Sequence, residues 1–319
     1  MAETIYDLAI IGSGPAGLTA GIYGARAGLS TVILERLGPG GQVVTTDVVE
    51  NYPGFTEPIS GYELTEKMLG QATNFGVEIR SSEVTGIDAP SGEDRKILSL
   101  GDGSLSALAV VIATGARHKR LGVPGEDRFW GKGISCCATC DGMFYRGKRV
   151  VVVGGGDTAV KETIFLTRFA SEITLVHRRD RLRATKILRD RIFAMSDKVK
   201  FAWKSAVKEV LGDDTVKAVR LSSVDSGEES VLECDGVFIF VGFAPNTEFL
   251  NGFVELDERG HVITDGNMAT SVPGVFACGD ARKKLLRQIV TACGEGATAA
   301  YAAQMYVENI KGTAYEPWS

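Results

Sequence analysis

Two cysteines separated by two residues, Cys137 and Cys140, are the residues of this sequence best suited to redox chemistry. Thiols at this spacing can close a small disulfide ring, and the first thiol of such a motif commonly has a lowered pKa. Attack of a thiolate on another disulfide then makes the pair a two-electron switch. Asp141 follows directly and can give or accept the proton that this chemistry needs. The spacing also fits half of a zinc site or two inert thiols, but the remaining cysteines are too distant for a second ligand pair, so we expect no metal.

A nucleotide-binding pattern opens the chain. The apolar run 6–11 predicts a buried strand, Gly12-Ser13-Gly14-Pro15-Ala16-Gly17 follows it, and a helix and a second strand lead to Glu35. Strand, glycine turn, helix, strand and acid in this order are typical of a dinucleotide site, in which the helix N-terminus faces the pyrophosphate and the acid bonds a ribose hydroxyl. A second glycine-rich turn ending at Gln42 either reaches the same ligand or is a surface loop.

The same pattern begins again beyond the cysteines. A valine-rich strand at 148–153 runs into Gly154-Gly155-Gly156-Asp157-Thr158-Ala159, and a further helix and strand lead to His177-Arg178-Arg179, with Arg183 close behind. An acid would repel a ribose 2′-phosphate, whereas arginines bind one by charge-assisted hydrogen bonds. The first unit should therefore hold FAD or NAD, and the second should prefer NADPH. A solvated basic helix or a nucleic-acid patch is the alternative for residues 177–191.

Each half then continues through irregular strands, one of them predicted over 201–207, to a buried closing strand, at 109–115 and at 236–242. This repetition indicates an α/β protein with two Rossmann-like, three-layer ββα nucleotide-binding domains, the second inserted into the first. The expected boundaries are 1–116 and 246–319 for the first domain and 117–245 for the second. In the returning segment, Asp280 ends a strand, where it can bond a ribityl hydroxyl or be a simple turn residue. A helix is predicted over 291–306, with an ordinary tail after it.

Composition narrows the classes of protein. Hydrophobic residues make up 44% of the 319 residues and charged residues 24%, as in ordinary globular proteins. The net charge of −5 disfavours general nucleic-acid binding. Neither a signal peptide nor an apolar run of membrane-spanning length is present, so we expect a cytoplasmic protein in which a disulfide cycles rather than persists.

With these motifs in this order, the sequence resembles the bacterial-type, low-molecular-weight thioredoxin reductases over almost its whole length. The motifs that carry the resemblance are Cys-Ala-Thr-Cys-Asp-Gly at 137–142, Gly-Gly-Gly-Asp-Thr-Ala at 154–159, His-Arg-Arg-x-x-x-Arg at 177–183 and Gly-Asp at 279–280. The resemblance implies a homodimeric flavoenzyme that passes electrons from NADPH through FAD and the cysteine pair to thioredoxin.

The resemblance also implies roles for single residues. Cys137 would attack the thioredoxin disulfide, Cys140 would lie nearest the flavin, and Asp141 would act as the acid–base group. FAD would be held by Gly12, Ser13, Gly14, Pro15, Ala16, Gly17, Glu35, Gln42, Thr46, Asn51, Val84, Asp280, Arg287 and Gln288. NADPH would be held by Gly156, Asp157, Thr158, His177, Arg178, Arg179 and Arg183.

Two departures from the family pattern stand near these positions. Cys136 adds a third thiol beside the pair, and we interpret it as a spectator. Asp157 stands where many relatives carry asparagine, and its charge is expected to weaken NADPH binding. Related functions stay open at this point: reduction of another disulfide carrier, ferredoxin as electron donor, dithiol oxidation by oxygen, or a non-catalytic flavin-binding sensor.

Overall fold

The structure, a computed structural model, describes residues 5–46 and 48–314. The chain divides into two compact units: unit 1 comprises Met1–Arg117 and Ala244–Ser319, and unit 2 is the continuous segment His118–Phe243. Unit 2 therefore interrupts the sequence of unit 1. The two units are described separately below.

The helices and strands follow in chain order. The first segment contains β1 (Ile5–Ile11), α1 (Pro15–Arg26), β2 (Thr31–Glu35), α2 (Gly61–Asn74), β3 (Glu78–Ser81), β4 (Val84–Asp88), β5 (Lys96–Leu100), β6 (Gly103–Ile112) and β7 (Ala116–His118). The middle segment contains α3 (Glu126–Phe129), β8 (Ile134–Ser135), α4 (Ala138–Asp141), β9 (Arg149–Gly154), α5 (Asp157–Leu166), β10 (Glu172–His177), α6 (Lys186–Phe193), β11 (Val199–Trp203), β12 (Ser205–Gly212), β13 (Val216–Ser223), β14 (Glu229–Glu233) and β15 (Gly236–Phe240). The last segment contains β16 (Phe243–Pro245), β17 (Val275–Ala277) and α7 (Ile289–Lys311).

Unit 1 is built on a seven-stranded sheet. Its parallel part runs β3-β2-β1-β6, and β17 pairs with β6 in parallel as well. The strands β4 and β5 continue the sheet from β6 in antiparallel orientation. Residues Asp7–Ile11 of β1 are buried on both faces, as expected of a central parallel strand covered on each side. The sheet therefore aligns the carboxyl ends of β1, β6 and β17 at one edge, where ligands bind in open α/β sheets.

Helices α1 and α7 pack on this sheet and on each other. Small residues permit the close approach, since a Cβ atom on Gly296 would lie 2.2 Å from the Ala16 carbonyl oxygen. Pro15 stands at the first turn of α1, where its missing N–H and fixed φ cost nothing. The Ser60 hydroxyl caps α2 by accepting a hydrogen bond from the Glu63 N–H at 3.1 Å. The ends of these helices are thus specified locally.

Unit 2 repeats the plan on a smaller scale. A parallel sheet runs β11-β10-β9-β15-β8, and a separate antiparallel sheet is formed by β12, β13 and β14. The four residues Val150–Val153 of β9 are all buried. Helix α5 packs on this sheet through residues such as Ala159 and Leu166, each fully buried. At roughly 1.5–3 kcal/mol for each large apolar side chain removed from water, this core is the main source of stability in the unit.

Two elements differ from the sequence-based expectation. A single strand was expected over 201–207, but the chain bends at Lys204, whose φ is +49°, so that β11 joins the parallel sheet and β12 the antiparallel one. The predicted tail after Val307 is wrong, because α7 continues to Lys311 and ends at Gly312 in the left-handed conformation. The side chain of Val307 is fully buried, which explains the continuation.

Among residues 5–46 and 48–314, no helix combines the length and the apolar character needed to cross a membrane. Within the same ranges, no group of three or more histidine, cysteine or acidic side chains is arranged to hold a metal ion.

Candidate active site and nucleotide-binding sites

The two cysteines form a disulfide in unit 2. Cys137 and Cys140 are bonded, with their Cα atoms 5.4 Å apart, and the one-turn helix α4 begins between them. Cys137 is half-buried, whereas Cys140 is exposed. The Cys140 N–H donates to the Cys137 sulfur at 3.1 Å, which holds the ring of the motif in a compact form. The structure therefore joins the pair that the spacing predicted to be redox-active.

The redox-active loop, residues 135–142, is fixed from two sides. The Ser135 hydroxyl accepts from the Cys137 N–H at 3.0 Å. The buried Ala138 donates its N–H to the Glu162 carboxylate, at 3.1 Å, and Glu162 belongs to α5. A Cβ atom on Gly142 would lie 3.2 Å from Leu166 of the same helix. Helix α5, which follows the glycine turn 154–159, thus also supports the disulfide. Sequence reasoning missed this arrangement.

The third thiol of this loop, Cys136, is free and half-buried. Burial raises the pKa of the Cys136 thiol, and the negative charges of Asp141 and Glu162 raise it further. Cys136 is therefore held in the protonated form, which is a poor nucleophile. The effect of Asp141 on this pKa shows that its carboxylate lies near Cys136.

In unit 1, the first glycine turn connects β1 to α1 as predicted. Gly12 has φ +101°, and a Cβ atom on Gly17 would lie 1.8 Å from the Gly12 carbonyl oxygen, so both positions require glycine. Glu35 ends β2 and accepts hydrogen bonds on one carboxylate oxygen from the Ser13 N–H, at 2.9 Å, and the Ser13 hydroxyl, at 2.7 Å. Its other oxygen accepts from the Leu37 N–H at 2.9 Å. The acid is thereby fixed beside the turn while lone pairs remain for a ribose hydroxyl.

The second glycine-rich turn lies against the first. The Gly40 N–H donates to the Ser13 carbonyl at 2.9 Å, and a 3₁₀ helix, Gly41–Thr45, follows. The Gln42 amide donates to the carbonyl of Ala116, the first residue of β7, at 2.5 Å. This loop is therefore part of the turn region of unit 1, and it is not an independent surface loop.

The remaining predicted flavin residues of the first segment have different surroundings. The Asn51 amide donates to the Gln288 side-chain oxygen at 2.9 Å, which links the first and last segments of unit 1. The Thr46 carbonyl accepts from the Gly61 N–H at 2.8 Å. Val84 lies in β4 with its side chain buried in the core. Val84 can therefore offer a ligand only its backbone groups.

Asp280 follows β17 at the carboxyl edge of the sheet. Burial raises the pKa of its carboxyl group, while the positive charges of Lys284 and Arg287 oppose the shift. Within the part of the chain that the structure describes, the buried Oδ1 atom of Asp280 has no hydrogen-bond partner. A buried acceptor without a donor is rare, and it marks a position where a ligand hydroxyl would complete the bonding. Gln288, which caps α7 together with Thr291, stands at the adjacent helix N-terminus.

The residues of unit 1 fit an adenine dinucleotide with a ribityl chain. The glycine turn leaves room for phosphates at the start of α1, and Glu35 offers acceptor lone pairs to a ribose. Asp280 offers an oxygen that has no hydrogen-bond partner among the described residues. The sites predicted at Gly12–Gly17, Glu35, Gln42, Asn51, Asp280 and Gln288 all belong to this unit.

The glycine turn of unit 2, residues 154–159, connects β9 to α5. A cleft of about 80 Å³ is lined by Gly156, Asp157, Thr158, Arg183 and the missed residue His118, among others. A Cβ atom on Gly156 would meet nothing within 4 Å, so the backbone is open to a ligand there. The Asp157 carboxylate accepts from the Thr185 N–H at 2.7 Å. This bond ties the acid to the loop before α6 and disperses part of its charge.

The basic motif begins where β10 ends. His177 is buried, with its ring against Gly155, and its Nε2 atom has no partner among the described residues. Burial lowers the pKa of His177, and the charges of Arg183, Arg179 and Arg178 lower it further. The three arginines are exposed, and no ion pair is recorded for them within residues 5–46 and 48–314. They are thus available to a phosphate group.

Comparison with known proteins agrees with this arrangement. The family model described as pyridine nucleotide-disulphide oxidoreductase matches residues 6–296. A thioredoxin reductase of Listeria innocua is 48% identical over 310 residues, which cover 97% of this chain and 96% of the relative. A thioredoxin reductase of Bacillus subtilis is 48% identical over 312 residues, with 98% of each chain covered.

A solved structure is similar as well. The thioredoxin reductase of Lactococcus lactis superposes with a TM-score of 0.92 at 44% identity, covering 95% of this chain and 99% of that one. Similarity over the whole length, at this identity and with a cysteine pair joined in unit 2, decides the classification. The chain belongs to the pyridine nucleotide-disulphide oxidoreductases and, among them, to the thioredoxin reductases.

Proposed function

We propose that the chain transfers an electron pair from NADPH, through FAD and the Cys137–Cys140 disulfide, to the disulfide of oxidised thioredoxin. FAD and NADPH are the cofactors of its family, and the chain is an NADPH-dependent oxidoreductase. The observation that carries the electron path is the Cys137–Cys140 disulfide. The residue after Cys137, Ala138, is hydrogen-bonded to Glu162 of α5, the helix that follows the glycine turn 154–159.

We assign FAD to unit 1. This assignment is supported by the glycine turn, by the fixed Glu35 carboxylate and by the Asp280 oxygen, which has no hydrogen-bond partner among the described residues. Its proposed ligands are Gly12, Ser13, Gly14, Pro15, Ala16, Gly17, Glu35, Gln42, Thr46, Asn51, Val84, Asp280, Arg287 and Gln288. The proposed FAD-binding domain comprises residues 1–116 and 246–319.

We assign NADPH to unit 2, and residues 117–245 form the proposed domain. The exposed Arg178, Arg179 and Arg183 support this assignment. Their guanidinium groups can form charge-assisted hydrogen bonds with a 2′-phosphate, and a free 2′-hydroxyl forms no such bonds. The proposed ligands are Gly156, Asp157, Thr158, His177, Arg178, Arg179 and Arg183. Burial keeps His177 neutral, so it contributes a hydrogen bond rather than a charge.

Bound FAD supplies two-electron transfer between the nicotinamide and the disulfide. Addition of two electrons and two protons cleaves the Cys137–Cys140 bond and gives two thiols. The Cys137 thiolate then attacks the thioredoxin disulfide and forms a mixed disulfide, and Cys140 attacks Cys137 to release dithiol thioredoxin. Asp141 gives or accepts the proton at these sulfur atoms. The overall change is oxidation of one NADPH and reduction of one disulfide.

Two further features belong to this proposal. A homodimer is supported by exposed large side chains on the helices of unit 1, among them Tyr23 on α1 and Tyr301 and Met305 on α7. A cytoplasmic location is proposed because the reaction needs NADPH. Light scattering of the purified protein tests the dimer: a mass near 68 kDa, twice that of the 34.0 kDa chain, is expected.

Anaerobic titration of the purified yellow protein tests the electron path. NADPH should bleach the flavin at a much lower concentration than NADH, and oxidised thioredoxin should restore the colour. In a Cys137→Ser variant, NADPH should still bleach the flavin, but thioredoxin should no longer restore it. Bleaching without recovery in the unmodified protein would exclude thioredoxin as acceptor, and no bleaching by either nucleotide would favour another donor such as ferredoxin.

A further inference from the structure

A cluster of buried charges lies at the carboxyl edge of the unit 1 sheet, outside the residues assigned above. The side chains of Lys284, Arg282 and Glu295 are only 4%, 13% and 15% exposed. Lys284 and Arg282 are on the loop after Asp280, and Glu295 is in the second turn of α7. Charged side chains are rarely buried to this degree unless they are paired and have a task.

Glu295 is the centre of the cluster. One carboxylate oxygen accepts from the Gly279 N–H at 2.9 Å and from the Lys284 ammonium at 3.1 Å. The other accepts from the Arg282 guanidinium at 2.8 Å. Three donors on one carboxylate compensate the cost of burying it.

The cluster ends on Asp280. The Lys284 nitrogen lies 3.5 Å from Asp280 Oδ1, close enough to supply a counter-charge, although this oxygen has no hydrogen-bond partner among the described residues. Gly279, which Glu295 holds, has φ +69°, and a Cβ atom there would lie 2.9 Å from the Ala16 methyl group. The turn at Gly279 is therefore in close contact with the glycine turn 12–17 of the same unit.

A buried ion network is weak evidence for stability, because the desolvation of its charges offsets much of their attraction. This network connects a backbone N–H next to Asp280, the counter-charge of Asp280 and the first turns of α7. Its geometry orients the carboxylate of Asp280, the residue assigned to the proposed flavin site.

We propose that Lys284 and Glu295 are positioning residues of the flavin site. Glu295 holds Gly279 and orients the Lys284 ammonium, and Lys284, 3.5 Å from Asp280 Oδ1, orients the Asp280 carboxylate toward a ribityl hydroxyl. The inference rests on the proposed function in one respect only, that FAD is the ligand at Asp280.

The experiment measures release of FAD from the purified holoenzyme, followed by flavin fluorescence after dilution. Glu295→Gln and Lys284→Met should each release FAD at least tenfold faster than the unmodified protein, and Lys284→Arg should restore the rate to within about threefold. Glu308→Gln is the matched control, since it removes the same charge from the same helix at a site bonded to Gln304 and far along α7. It should leave the rate unchanged.

A second measurement separates positioning from a purely structural role. The double variant should release FAD no more than about threefold faster than the worse single variant, because both changes break the same network. Thermal unfolding in saturating FAD should stay within a few degrees of the unmodified protein. An unchanged release rate in Glu295→Gln, or an equal effect of Glu308→Gln, would overturn the inference. A protein that purifies without flavin would instead contradict the proposed function.

Discussion

At the scale of single residues, three cysteines within five positions of the sequence have different environments. Cys137 and Cys140 share a disulfide, whereas Cys136 is free, half-buried and close to the carboxylates of Asp141 and Glu162. Those negative charges disfavour a thiolate at Cys136. The chain can therefore carry a third thiol beside the redox pair with little risk of a wrong disulfide.

Alkylation of the reduced protein tests this difference. Because a raised pKa lowers the thiolate fraction, Cys136 should react with iodoacetamide at least tenfold more slowly than the faster of Cys137 and Cys140 at pH 7.5, and its rate should still be rising above pH 9. Peptide mass spectrometry gives the rates. The control Cys136→Ser should keep thioredoxin reduction within twofold. Equal labelling of the three cysteines would contradict the assignment of Cys136 as a spectator.

The arginines allow a prediction about coenzyme choice. Arg178→Ala and Arg179→Ala should each raise the KM for NADPH about tenfold or more, since a charge-assisted hydrogen bond contributes roughly 1.5–3 kcal/mol. The KM for NADH should change by less than threefold. Arg181→Ala is a control in the same exposed loop, at a variable position of the motif. Steady-state kinetics with both nucleotides measures the effect, and parallel losses for NADPH and NADH would exclude 2′-phosphate recognition.

At the scale of elements, α5 has two tasks. Its N-terminus follows the glycine turn 154–159. Further along the helix, the Glu162 carboxylate accepts a hydrogen bond from the N–H of Ala138, which lies between the two cysteines. Leu166, in its last turn, packs near Gly142. A single ten-residue helix thus begins at the proposed NADPH site and also supports the loop that carries the disulfide.

Changes at Glu162 should act on the disulfide rather than on nucleotide binding. Glu162→Ala leaves the Ala138 N–H without its acceptor, which should lower the free energy of unfolding by roughly 1–3 kcal/mol and thioredoxin reduction severalfold. Glu162→Gln keeps an acceptor oxygen, so its stability and its thioredoxin reduction should lie between those of the unmodified protein and of Glu162→Ala. Glu228→Gln, on the exposed surface of the same unit, is the charge control. Denaturant unfolding and thioredoxin assays measure these effects, and an unchanged KM for NADPH is required.

The elements also show which parts of the fold and site the sequence could predict. The two strand–turn–helix units were predictable because their signals, short apolar runs and glycines, are local. The contacts from Glu162 to Ala138 and from Glu295 to Gly279 were missed because they join residues on different elements. For Glu295 a signal was present, since it is the only charged residue between Ile289 and Val307. The bend at Lys204 left no such signal, because a left-handed lysine depends on the two sheets that it connects.

At the scale of the whole molecule, one unit is continuous in sequence and the other is not. Unit 2 has its own sheets and its own hydrophobic clusters, for example the one around Val151 and Ile239. Residues 118–243 expressed alone should therefore unfold cooperatively and bind NADPH in preference to NADH. Circular dichroism and calorimetric titration test this expectation, with the Arg179→Ala fragment as control. A fragment without a cooperative transition would show that unit 2 depends on unit 1.

The pairing of β17 with β6 has a consequence for biosynthesis. Ile112 ends β6, but its partner strand begins only at Val275, so the growing chain emerges with an open sheet edge until unit 2 has been made. At about 5–20 residues per second, this interval lasts on the order of 10 s. Segment 118–243 is completed within this interval, while the first segment still lacks Asp280 and α7. The order of synthesis thus completes the proposed NADPH site first, and the proposed flavin site is complete only after Asp280 and α7 have been made.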